Sequence, residues 1–91
     1  MKTEEFLKTL KGVDYKQLGS IELHFGDGGR YIGSPVAKEL GDGWCHYYRN
    51  AVFFGDTEDG FCVSPEIVKQ VDVVPVEDSY GGYYVLRIYT T

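Results

Sequence analysis

The spacing of apolar residues along this 91-residue chain changes period several times, and each change marks an element. Phe6, Leu7 and Leu10 recur as one face of a helix. Thr3 stands where a cap belongs, Glu4 and Glu5 lie where the helix dipole favours acids, and Gly12 follows as the stop. The helix spans about two turns, too short to persist without a sheet to lie on. The period then drops to two: Ile21, Leu23 and Phe25 face one way, Ser20, Glu22 and His24 the other. Gly26 to Gly29 turn this strand into RYIG as a hairpin, with glycine supplying positive φ.

Ser34 and Pro35 signal a short helix over PVAKEL that ends at Gly41. GDGWCHYYRN runs on into AVFFGD as one bent or bulged strand, and DTEDG, residues 56 to 60, is a turn. GFCV resumes strand character, and Ser64-Pro65-Glu66 opens about one helical turn. VDVVPVED is strand-like, but Pro75 confines it to an edge or an end. After the SYGG turn, YYVLRIYT sets Tyr84, Leu86 and Ile88 against Tyr83, Val85, Arg87 and Tyr89. Both faces carry large groups, which predicts a central strand with one face under a helix. Tyr31-Ile32-Gly33-Ser34-Pro35 and Phe61-Cys62-Val63-Ser64-Pro65 echo each other, and reuse of one helix-start chemistry accounts for them more simply than duplication.

These elements predict an α+β fold, residues 1–91 forming a single domain. Its N-terminal helix packs on a mainly antiparallel sheet of about five strands with two short helical turns. A composition of 43% hydrophobic and 25% charged residues fits a globular chain. No apolar run nears the roughly 20 residues that span a bilayer, and Glu4 and Glu5 occupy the place of a signal peptide's apolar core. A cytoplasmic location with Cys45 and Cys62 as reduced thiols is the simplest expectation; in a secretory compartment the two could pair.

Charge changes the picture more. The net charge of −5 is uneven: residues 1 to 16 carry four bases and three acids, whereas Asp56 to Asp78 holds seven acids and the single base Lys69. Such a surface repels nucleic acid and anionic membrane and suits a basic protein partner, although a net charge also serves solubility.

Catalytic and metal chemistry is poorly supported. Cys45 and His46 are neighbours on a strand and point to opposite faces, so they cannot form a thiolate–base pair, and both cysteines are expected as buried filler. Cysteine and histidine at 24, 45, 46 and 62 lack zinc spacing, and DTEDG lacks the rest of a calcium loop. Gly26-Asp27-Gly28 begins like a dinucleotide fingerprint, but Tyr31 replaces its third glycine. Gly28 to Gly33 has P-loop spacing but is followed by Ser34-Pro35. No acid pair is singled out among fourteen carboxylates. The reading is non-enzymatic, without metal or cofactor.

Aromatics carry the remaining signal, with eight tyrosines, five phenylalanines and one tryptophan. Tyr47/Tyr48 and Tyr83/Tyr84, as strand neighbours, must each send one ring to either face, and exposed Tyr, Trp and Arg typify protein interfaces. The candidate partner-binding residues are Trp44, Tyr47, Tyr48, Arg49, Asp56, Glu58, Asp59, Tyr80 and Tyr83. In size, acidity and lack of catalytic motifs the chain is similar to small anti-defence and DNA-mimic proteins of phages and mobile elements, a likeness of type that rests on no shared motif. The expected function is a non-enzymatic acidic protein-binding module, in its specific form an inhibitor blocking a basic nucleic-acid-binding partner by carboxylate mimicry. The alternative is a small-ligand or carbohydrate-binding domain using Trp44 and neighbouring tyrosines. A monomer is favoured over a homodimer, because Pro75 and nearby acids protect an edge.

Overall fold

The computed structural model describes residues 1–33, 46–48, 51–54 and 60–91. The chain opens with the helix α1, Thr3–Lys11, in which Phe6 and Leu10 are buried. Glu4 and Glu5 occupy its first turn and Lys8 and Lys11 its last, so both ends complement the helix dipole. Thr3 does not cap it. The capping position falls on Lys2, in extended conformation and without a side-chain bond. The Met1 ammonium donates to the Val68 carbonyl, which anchors the segment entering the helix from the outside. Gly12 ends α1 in the right-handed region at φ −77°, its N–H donating to the Thr9 carbonyl while the Val13 N–H donates to that of Leu10.

After a 3₁₀ turn at Tyr15–Gln17 come seven strands among the described residues: β1 Leu18–His24, β2 Arg30–Gly33, β3 His46–Tyr48, β4 Ala51–Phe54, β5 Phe61–Val63, β6 Val68–Asp78 and β7 Gly81–Thr90. They form a four-stranded sheet in the order β2-β1-β7-β6 and a three-stranded sheet in the order β3-β4-β5. The α+β class with an N-terminal helix is therefore correct, and the pairing is mainly antiparallel as expected, but the strands divide between two sheets instead of forming one of about five. At the centre of the larger sheet β1 and β7 run parallel, with Ile21 opposite Leu86 and Leu23 opposite Ile88. A parallel pair joins segments remote in sequence and leaves no turn signal between them.

The stretch read as one bent strand is two, paired antiparallel with His46 opposite Phe53 and Tyr48 opposite Ala51. Neither glycine nor proline separates Tyr48 from Ala51, so the apolar pattern reads straight through the reversal. The helix expected over PVAKEL, and residues 56 to 59 of the expected turn, lie outside the described residues. The Gly26 to Gly29 turn does close β1 on β2: Phe25 N–H donates to Gly29 O at 2.8 Å and Gly29 N–H to Asp27 Oδ1 at 2.8 Å. Ser64-Pro65 starts a single 3₁₀ turn at Pro65–Ile67, with proline in its first positions. β7 is central, and β6, with Pro75, is an edge.

One core joins the pieces. Phe6 and Leu10 of α1 meet Ile21, Leu23, Leu86 and Ile88 of the large sheet and Val52, Phe54 and Val63 of the small one. Each such side chain contributes about 1.5–3 kcal/mol by leaving water. The echoed segments meet in space: the Tyr31 and Phe61 rings lie 4.9 Å apart, linking β2 to β5. Among the described residues no helix is long and apolar enough to cross a membrane.

Candidate functional site

The β6–β7 hairpin collects the described residues best placed to meet a partner. Its strands pair from Gln70 opposite Tyr89 to Asp78 opposite Gly81, leaving Ser79 and Tyr80 as the tip. Asp78 Oδ1 accepts the Tyr80 backbone N–H at 2.9 Å, which fixes the reversal, and Gly81 enters β7 at φ 112°, where a side chain would be strained. Tyr80 is 98% exposed. Glu77 and Asp78 are exposed beside it.

Tyr83 behaves differently. It is half-buried, its ring packed against Gly19 so closely that a Cβ there would sit 2.3 Å from a ring carbon. Gly19 falls where the β1–β7 register shifts, between Leu18 and Ser20. Tyr83 thus serves the fold as well as the surface. With Gln17, Pro75, Glu77 and Tyr84 it lines a cavity of about 330 Å³. A second, of about 380 Å³, lies on the other side of Gln17 and Tyr84 and is lined also by Val13, Asp14 and Val73.

Of the other residues expected at an interface, Tyr47 and Tyr48 belong to β3, opposite Val52 and Ala51 respectively. Trp44, Arg49, Asp56, Glu58 and Asp59 lie outside the described residues. The structure therefore brings Tyr80 and Tyr83 onto one hairpin and places Tyr47 and Tyr48 on β3 of the other sheet.

Sequence reasoning missed a polar cluster on the face of the large sheet opposite the core. The buried carboxylate of Glu22 bonds His24 Nε2 at 2.9 Å and lies 3.6 Å from Arg87 Nε. That nitrogen, shielded from solvent, has no hydrogen-bond partner among the described residues. The His24 ring stacks on Tyr89, centroids 4.9 Å apart. Asp72, opposite Arg87, instead accepts the Gln70 amide at 2.9 Å. Alternation had already placed Glu22 with His24 and Arg87 with Tyr89; what it could not supply was the parallel register that sets the two pairs side by side. The cluster offsets Glu22's charge with a hydrogen bond from the His24 ring and the nearby Arg87 guanidinium.

Cys62 is exposed rather than buried filler. It pairs with Phe53, between the Val52–Val63 and Phe54–Phe61 pairs whose valines and Phe54 enter the core, so the pleat turns it outward. Partial burial still pushes its thiol pKa up, the direction opposite to an activated nucleophile. Among the described residues no three His, Cys, Asp or Glu side chains gather as a metal site would need. No family model, curated protein or solved structure matches the chain.

Proposed function

We propose that the chain is a non-enzymatic, acidic protein-binding module that engages a basic partner through the β6–β7 hairpin. The observation that carries this reading is Tyr80, 98% exposed on a tip held by its own side-chain-to-backbone bond. A rigid aromatic anchor loses little entropy on binding, and the flanking Glu77 and Asp78 supply charge that favours a basic surface. The specific form of the proposal is an inhibitor that blocks a basic nucleic-acid-binding protein by presenting carboxylates, as phage and mobile-element inhibitors do. Direct nucleic-acid binding is disfavoured by the same charge. The proposed location is the cytoplasm and the proposed state a monomer.

Affinity capture from a native lysate, comparing the unaltered chain with Tyr80→Ala and with Glu77→Lys/Asp78→Lys, tests the reading. Recovery of a basic nucleic-acid-handling protein, reduced about tenfold or more by either change and weakened by salt, is expected. A neutral partner, or capture indifferent to both changes, overturns it.

Binding of a small ligand is the second reading, favoured by the two cavities of about 330 and 380 Å³ that meet at Gln17 and Tyr84. Those volumes lie at the lower end of the range usual for ligand sites. A thermal-shift screen of sugars and small aromatics should then give hits that Tyr84→Ala abolishes; a screen with none removes the reading.

A further inference from the structure

We infer that β6 is a docking edge, along which an extended basic segment of the partner adds to the large sheet as a further strand. The inference rests on the reading that the partner is basic and meets the hairpin, and it supplies the geometry of that contact. β6 runs eleven residues and ends the order β2-β1-β7-β6, so its outer side pairs with no strand among the described residues. That side is open to solvent: Val73 is 42% exposed, and Lys69, Gln70, Pro75, Glu77 and Asp78 are exposed as well.

The pairing shows which backbone groups point outward. From Gln70 to Asp78 the register with β7 is uninterrupted, and only Ser79 and Tyr80 lie between the closing pair Asp78 and Gly81. In a hairpin with a two-residue loop the closing pair exchanges hydrogen bonds, and bonded pairs then alternate with unbonded ones. Positions 78, 76, 74 and 72 therefore direct their backbone groups to β7, while 77, 75, 73 and 71 direct theirs away. Pro75, opposite Tyr84, gives the same parity independently, because a residue without an N–H costs the ladder nothing only where it faces out. The edge thus offers the N–H groups of Val71, Val73 and Glu77 and the carbonyls of those residues and Pro75.

The pleat decides which side chains an added strand would meet. Val71, Val73, Pro75 and Glu77 lie on the core side of the sheet, and Asp72, Val74, Val76 and Asp78 on the other. The middle of the edge is therefore apolar on both sides, with Asp72 towards one end and Glu77 and Asp78 at the other. The complementary segment is apolar in its middle and basic at both ends, added as a strand at a sheet edge. A second copy of this chain fits less well, because it would set two acidic edges together with only Lys69 on each to offset them.

The test uses the whole chain and two short fluorescein-labelled peptides of equal composition, one with Val in the middle and Lys at both ends and one with Lys in the middle and Val at both ends. Fluorescence anisotropy measures binding, and amide hydrogen exchange by NMR locates it. The Val-centred peptide is expected to bind about tenfold or more tighter than the Lys-centred one. It should slow exchange at Val71, Val73 and Glu77, and lose about tenfold or more in affinity with Asp72→Lys/Glu77→Lys. Charge-sensitive binding of either peptide without protection of those three amides overturns strand addition and leaves the basic-partner reading standing. Protection of the same amides without peptide, rising with protein concentration, assigns the edge to a second copy and overturns the inference. Failure of both peptides to bind, or binding indifferent to charge reversal, overturns the inference and the reading together.

Discussion

The two faces of the paired strands β1 and β7 are made from alternate residues of the same short segments, yet they are shielded in different ways. On one face Ile21, Leu23, Leu86 and Ile88 are buried under α1 and the small sheet. On the other, Glu22, also buried, bonds its neighbour His24 and lies against the cross-strand Arg87, while Tyr89 stacks on the His24 ring. The first face needs other elements to cover it. The second is covered by its own polar and aromatic side chains within the sheet, so burial alone does not identify a core.

The contrast can be broken most forcefully from the apolar side. Leu86→Ala should cost about 2–5 kcal/mol in urea unfolding, because Leu86 is wholly buried between Ile21 and Val73 on neighbouring strands. On the polar side Glu22→Ala should cost about 1.5–3 kcal/mol, the usual worth of bonds to a charged group. Glu22→Leu should recover part of that loss, since an apolar residue leaves His24 and Arg87 free to turn to water. Should Glu22→Ala prove the more damaging of the two, the polar face would be a second core rather than a self-covered one.

Gly19→Ala sharpens the comparison at the end of the polar face, where Tyr83 occupies the space a Cβ would need. A loss of about 1–3 kcal/mol is expected, falling below about 1 kcal/mol in a Tyr83→Ala background; equal losses in both backgrounds would show that the ring is not the cause. The smallest effect is a rate. In a Cys45→Ser background, Cys62 should alkylate more slowly than free cysteine at mildly alkaline pH, because its raised pKa keeps the thiol protonated. Its rate should reach half-maximum at a higher pH than that of the free thiol, and a faster reaction would contradict the direction of the shift.

Local pattern was enough to locate α1, the β1–β2 hairpin, the Pro65 turn and the central place of β7, because each has its signal within a few residues. It was enough, too, to place β6 at an edge, since Pro75 states that chemically. It failed where the determinant was remote or silent. Thr3 carries a capping residue's chemistry, but the capping position falls on Lys2, next to the Met1 ammonium that donates to the Val68 carbonyl. Tyr48 and Ala51 are separated by Arg49 and Asn50, with Asn50 the single turn-favouring residue between two strand-like runs. The Glu22–His24–Arg87 cluster depends on a pairing between the two ends of the sequence. Of the residues expected to bind a partner, Tyr80 lies on its turn and Tyr83 on its strand as the pattern placed them, although composition gave no hint that Gly19 would meet the Tyr83 ring.

That same pairing of β1 with β7 bears on how the protein comes to be folded. β6 and β7 are joined by a tight turn and can zip together early, whereas β1 must wait for a strand from the other end of the sequence. During synthesis Ile21 and Leu23 remain uncovered by their parallel neighbour until residue 90 has left the ribosome. Completion of the sheet's centre is therefore a late event, and conditions that delay it leave a half-built apolar face open to misassociation.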